Sequence, residues 1–168
     1  MTKIHVSKHT RGVGSGIMKR VNKITITRRL DETGDISYLG TFSDTPSKYA
    51  IKHEGDSRSY QYFNADNVSN MKEAQQNYDR AMEFSEGRVA QMGVTAEAEV
   101  AMSRDGGKTW KLDELTSGGL WGIESDSGEK YFKEVEDDQL SELKETLEGY
   151  GFTASQIKAA PIEHKEKY

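Results

Sequence analysis

Cysteine is absent from the 168 residues, proline occurs only twice, and no apolar run approaches the roughly 20 residues that span a bilayer. Without cysteine there is no disulfide scaffold, no thiolate metal centre and no cysteine nucleophile. The N-terminus also lacks the apolar stretch of a secretion signal, so a cytoplasmic chain with no membrane segment is expected. Acidic residues are missing from the first 30 positions, which carry eight basic ones, Lys3, Lys8, Arg11, Lys19, Arg20, Lys23, Arg28 and Arg29. The rest of the chain holds the other 15 basic residues and all 28 acids, so a net charge of −5 hides a +8 segment joined to a −13 body. Such polarity points to a basic arm that meets an anion, or to an acidic surface that meets a basic partner.

The length fits one compact domain or two very small ones, and the patterning predicts an α+β fold of antiparallel β-hairpins and sheet, a central amphipathic helix and a C-terminal acidic helical segment. Residues 1–21, with Gly12, Gly14 and Gly16 among basic residues, read as a flexible arm with a short strand at residues 4–6. A single domain is expected over residues 22–160, with a sub-boundary near 58–68, and residues 161–168 read as a frayed tail. The alternating, β-branched run at 23–30 and the run at 36–42, separated by turn residues, predict a hairpin. A second pair follows at 49–52 and 60–63. Met71, Ala74, Tyr78, Ala81 and Met82 recur on one helical face, capped by Asn67 or Ser69 and stopped by Gly87; this stripe reads as core.

Further on, residues 94–102 alternate as a long strand, and Asp105, Gly106 and Gly107 turn the chain into another at 109–112. The glycine-rich run at 115–123 is expected to be a buried strand. A helical tail follows, with Leu140, Leu143 and Leu147 on one face and a break near Asp137, and then a short helix over 152–160 ended by Pro161.

Several motifs bear on chemistry. Residues 103–110, SRDGGKTW, match S-x-D-x-G-x-T-W and resemble the Asp-box hairpin of sialidases and related propeller proteins. One copy in so short a chain implies turn chemistry rather than glycosidase activity. The glycines at 12, 14 and 16 with Lys19 and Arg20 suit an anion but lack phosphate-loop spacing. His5 and His9 have ligand-like spacing without a helix to present it, so no metal and no cofactor is expected. Neither a nucleophile elbow nor a catalytic histidine signature is present. Residues 112–150 hold twelve acids against three lysines. On helices these acids make a negative face, led by Glu134, Glu136, Asp137, Asp138, Glu142 and Glu145, that would attract a protein whose own groove binds nucleic acid. The competing surface is basic, Arg11, Lys19, Arg20, Lys23, Arg28 and Arg29, and would meet phosphates or an acidic partner.

The string TSGGLWGIESDS at 116–127, leading into an acidic helix that ends in G-F, resembles small proteins encoded by bacterial viruses and mobile elements. The likeness extends over roughly residues 60–152, through Tyr62-Phe63-Asn64 and Ala96-Glu97-Ala98-Glu99-Val100. It implies origin and not mechanism. By analogy with that origin, and from the charge polarity, the first expectation is a non-enzymatic inhibitor of a host nucleic-acid-processing complex, anti-CRISPR-like or otherwise anti-defence, acting in the host cytoplasm on a protein or ribonucleoprotein, with an enzyme whose site has no linear signature as a third reading. The alternative is a nucleic-acid-binding accessory protein that works through its basic arm. The resemblance transfers no functional residues, and the sequence leaves the oligomeric state open.

Overall fold

The computed structural model describes residues 16–55 and 59–168. In chain order the elements are β1 (Met18–Leu30), β2 (Gly40–Ser43), β3 (Ile51–Lys52), β4 (Tyr62–Ala65), α1 (Met71–Ser85), β5 (Gln91–Ser103), β6 (Lys111–Thr116), β7 (Leu120–Glu124), α2 (Glu129–Gly149), α3 (Ala154–Ala159) and β8 (Ile162–Lys167). The fold is α+β, as the patterning predicts. It divides into two compact units, whose boundaries fall at Arg29/Leu30, Met92/Gly93, Leu120/Trp121 and Ser127/Gly128 rather than near 58–68. The strand expected at residues 4–6 lies outside the described residues.

In the five-stranded sheet the strand order is β6-β5-β1-β8, and β7 also pairs with β5. Already at Met18 the chain is extended, inside the segment expected to be an arm, because Val21, Ile24 and Ile26 all find buried places. β5 has the predicted alternation: Val94, Ala96, Ala98 and Val100 are fully buried, while Glu97 and Glu99 alternate with them on the other face. Phe132, Val135, Leu143 and Leu147 are the buried apolar residues of α2, which runs unbroken past Asp137. This helix has no side-chain cap; it starts at Gly128, whose φ of 89° and ψ of 151° lie where essentially only glycine goes. In α3, by contrast, Thr153 and Gln156 form a reciprocal capping box.

The expected frayed tail is instead strand β8. It pairs in parallel with β1, Ile24 opposite Ile162 through Arg29 opposite Lys167, and the Ile24 N–H donates to the Pro161 carbonyl at 2.9 Å. All six of its residues are exposed, so the pairing rests on backbone hydrogen bonds that hydropathy does not report.

The second unit has a three-stranded antiparallel sheet, β2-β4-β3, in which Phe63 stands opposite both Phe42 and Ile51. The hairpin predicted between 49–52 and 60–63 forms. The one predicted between 23–30 and 36–42 does not: Asp35 accepts from the Ser37 N–H and hydroxyl, the Leu39 N–H bonds back to Ile36 O, and the chain turns until Gly40. That local Asx turn outcompetes extension, and β2 pairs with β4 while β1 joins the other sheet. Asn70, not Asn67 or Ser69, caps α1, and the Glu73 carboxylate accepts from the Ser69 N–H. Ala74 and Ala81 join Leu39, Ile51 and Phe63 in the core, with Tyr78 packed against it, whereas Met71 stays exposed. The 115–123 segment is also more exposed than expected, with Leu120 and Trp121 in solvent and only Ser117 and Ile123 buried.

Candidate functional site

Helix α2 separates the six acids nominated from sequence. Glu134, Asp137, Asp138, Glu142 and Glu145 face solvent. Glu134, Asp138 and Glu142 are four residues apart, and Glu145 and Glu148 continue the stripe, so carboxylates line about 21 Å of helix surface. Lys133 pairs with Asp137 at 2.7 Å, and one Glu142 oxygen accepts from the Gly118 N–H at 3.0 Å. Among the described residues, Glu134, Asp138 and Glu145 have no ion-pair partner, so their charge is directed at solvent.

Glu136 does not belong to that face. It shares the buried side of α2 with Phe132, Val135, Gln139 and Leu143, and its side chain is 5% exposed. Arg28 Nε donates to Glu136 at 2.5 Å, and Arg28 Nη1 donates to Glu129 at 2.6 Å. The guanidinium lies 4.9 Å from the centre of the Phe132 ring, and His164 Nδ1 stands 3.4 Å from the second Glu136 oxygen. The hydrogen bond to Glu129 is the largest influence raising the Arg28 pKa, opposed by burial, and the same bond holds Glu129 below its ordinary value. With an arginine at its centre the cluster suits charge neutralisation and not cation binding. No group of three or more metal-ligating side chains occurs among the described residues.

Of the basic surface nominated from sequence, Arg28 and Arg29 are paired with carboxylates within the first unit, while Lys19 and Arg20 meet a carbonyl and aromatic rings. Lys19 Nζ donates to the Tyr150 carbonyl and sits 5.5 Å from the Phe152 ring; the Arg20 guanidinium covers Trp110 at 4.2 Å. Arg29 reaches Thr95 and Glu97, both at 3.1 Å, and Lys23 shares an open groove with Glu97, Glu99 and Glu114. Arg28 is the buried partner of Glu136. Arg11, with His5 and His9, lies outside the described residues.

The hairpin at residues 103–110 has the predicted turn chemistry. Asp105 accepts from the Thr109 N–H, the Thr109 hydroxyl and the Ser103 hydroxyl, and the Trp110 indole donates to Gly107 O at 3.1 Å. The Thr109 bonds, foremost, pull the Asp105 carboxyl down to about 2. In the second unit the sequence reading missed a second arginine cluster, in which Arg80 binds Glu83, Glu124 and Asp126. Tyr38 donates to Glu124 at 2.8 Å, and burial first, then this bond, pushes its hydroxyl up to about 12. His53 Nδ1 meets the Tyr78 hydroxyl at 2.9 Å among Phe42 and Phe63, an aromatic packing contact without a nucleophile.

The first unit thus defines a class of α+β structure in which a mixed sheet supports a long helix with an acidic solvent face. The chain matches no protein-family model, no curated protein and no solved structure. Among the described residues no helix is long and apolar enough to cross a membrane.

Proposed function

We propose that the chain is a non-enzymatic binding factor whose acidic α2 face occupies a cationic surface of a host nucleic-acid-processing complex, in the manner of an anti-defence inhibitor. The observation that carries this reading is the contrast between the two nominated surfaces. Carboxylates at Glu134, Asp138 and Glu145 are exposed and unpaired among the described residues, while Arg28 and Arg29 are ion-paired with Glu129, Glu136 and Glu97. A row of fixed carboxylates raises the encounter rate with a basic groove and repels nucleic acid itself. The nucleic-acid-binding alternative needs cations free to release counterions from phosphates, and the pairing of Arg28 and Arg29 with carboxylates weighs against it.

The test is a nuclease-treated pull-down from host lysate with the wild-type chain and the triple variant E134K/D138K/E145K, both checked for folding by circular dichroism. A nucleic-acid-handling protein retained by the wild type and lost from the variant supports the proposal. Equal retention by both, or retention of nucleic acid alone before treatment, overturns it.

A further inference from the structure

Strand β8 is the edge of its sheet: it pairs with β1 on one side, and among the described residues no strand lies on the other. Its inner hydrogen bonds fix which backbone groups remain outside. With the Ile24 N–H on Pro161 O, parallel pairing turns the N–H and C=O groups of Glu163, Lys165 and Lys167 toward β1. Those of Ile162, His164 and Glu166 therefore point outward, unpaired by β1.

We propose that a second copy of this chain covers that edge, the two β8 strands running antiparallel about a two-fold axis through Lys165. In this register His164 and Glu166 of each copy stand opposite Glu166 and His164 of the other, using the outward backbone groups as hydrogen-bonded pairs. Glu163 faces Lys167 and Lys167 faces Glu163 in the closer, non-hydrogen-bonded pairs, where side chains interact most directly. Ile162 meets Tyr168, both of them exposed in the single chain. Lys165 against itself is the one like-charged pair. Shifting the axis to His164 preserves a Glu163–Lys165 match but places Ile162 against Glu166, and placing it between His164 and Lys165 sets Glu163 against Glu166. The strand is therefore self-complementary in one register, which is what an isologous two-fold interface requires.

Lysines on an edge strand ordinarily discourage pairing. Here Glu163 and Lys167 lie equally far from the axis, so a copy of the same strand, unlike an arbitrary one, sets opposite charges at both of those places and like charges only at the axis. The two-fold is perpendicular to the sheet, so both α2 helices lie on the same side of the joined sheet.

The proposal does not depend on the α2 reading, because its readout is the mass of the purified protein alone. Sedimentation equilibrium of the full chain should show a monomer–dimer equilibrium. E163K and K167E should each weaken it about tenfold, since each turns two attractive pairs into repulsive ones. An equimolar mixture of E163K and K167E should restore association, because each altered residue then meets its opposite charge across the axis. K165T removes the like-charged pair and should tighten the dimer, giving a second reading should either reversal perturb folding. A wild-type chain that stays monomeric, or single reversals that associate as the wild type does with no gain on mixing, overturns the proposal.

Discussion

At the scale of single residues, Glu136 is the side chain whose place most changes the reading of this molecule. A carboxylate taken out of water is costly unless a cation and hydrogen bonds replace its hydration. Arg28 supplies both, and its position on β1 makes this possible: it shares the face of Ile24 and Ile26, which is buried. The pair is nonetheless sensitive to loss of either member, because the survivor is left as an uncompensated charge. E136A should lower the unfolding free energy by about 3 kcal/mol in urea titrations, while the double replacement R28M/E136L should recover most of that loss, apolar groups of similar volume needing no partner. If E136A unfolds at the wild-type midpoint, Glu136 is an ordinary surface acid and the description of this cluster fails.

At the scale of elements, the hairpin joining β5 to β6 is held by one carboxylate. The folded Asp105 titrates at about 2, below the roughly 4 of an unfolded aspartate. Because its folded value is depressed, its contribution is fully present above about pH 4 and is lost as pH falls through about 2. The Thr109 amide shift, followed by NMR, should therefore titrate near pH 2 in the wild type and show no such step in D105N; a midpoint near 4 would mean the turn does not bind the carboxylate. This hairpin was legible in sequence because its determinants are local, spread over Ser103 to Trp110. So were β5, whose period of two is unbroken, and α1, whose apolar face recurs. Strand β8 was not legible: Ile162 to Lys167 offers no buried side chain, and its partner β1 is over a hundred residues away in sequence. The hairpin expected between β1 and β2, which does not form, shows the converse, a plausible local pairing displaced by an Asx turn at Asp35. The acidic face was half legible. Composition located it, but only the helical period that groups Glu136 with Phe132, Val135, Gln139 and Leu143 separates the buried acid from the exposed ones.

At the scale of the whole molecule, the charge polarity written along the chain is partly cancelled among the described residues. The cations of β1 come from the basic segment and their partners Glu97, Glu129 and Glu136 from the acidic body, so folding within the first unit neutralises much of what the sequence separates. Among the described residues, the exposed carboxylates Glu134, Asp138 and Glu145 on α2 keep no ion-pair partner. The two units also differ in what holds them. The first buries an unbroken row on β5 and four apolar residues of a 21-residue helix, whereas the second rests on a core of Leu39, Ile51, Phe63, Ala74 and Ala81 beneath strands of two to four residues. Short strands and few fully buried side chains mark the parts of a protein that open at low free energy. Native-state hydrogen exchange should accordingly find amides of β4 and α1, such as Phe63 and Ala81, exchanging through a subglobal opening, while those of Val94 to Val100 on β5 and Leu143 on α2 exchange only with global unfolding. Increasing urea should merge the two sets from below, as the global process overtakes the local one. Equal free energies of exchange in both sets without denaturant would show instead that the molecule unfolds as one cooperative body, and that the small core of the second unit is not an independent source of fluctuation.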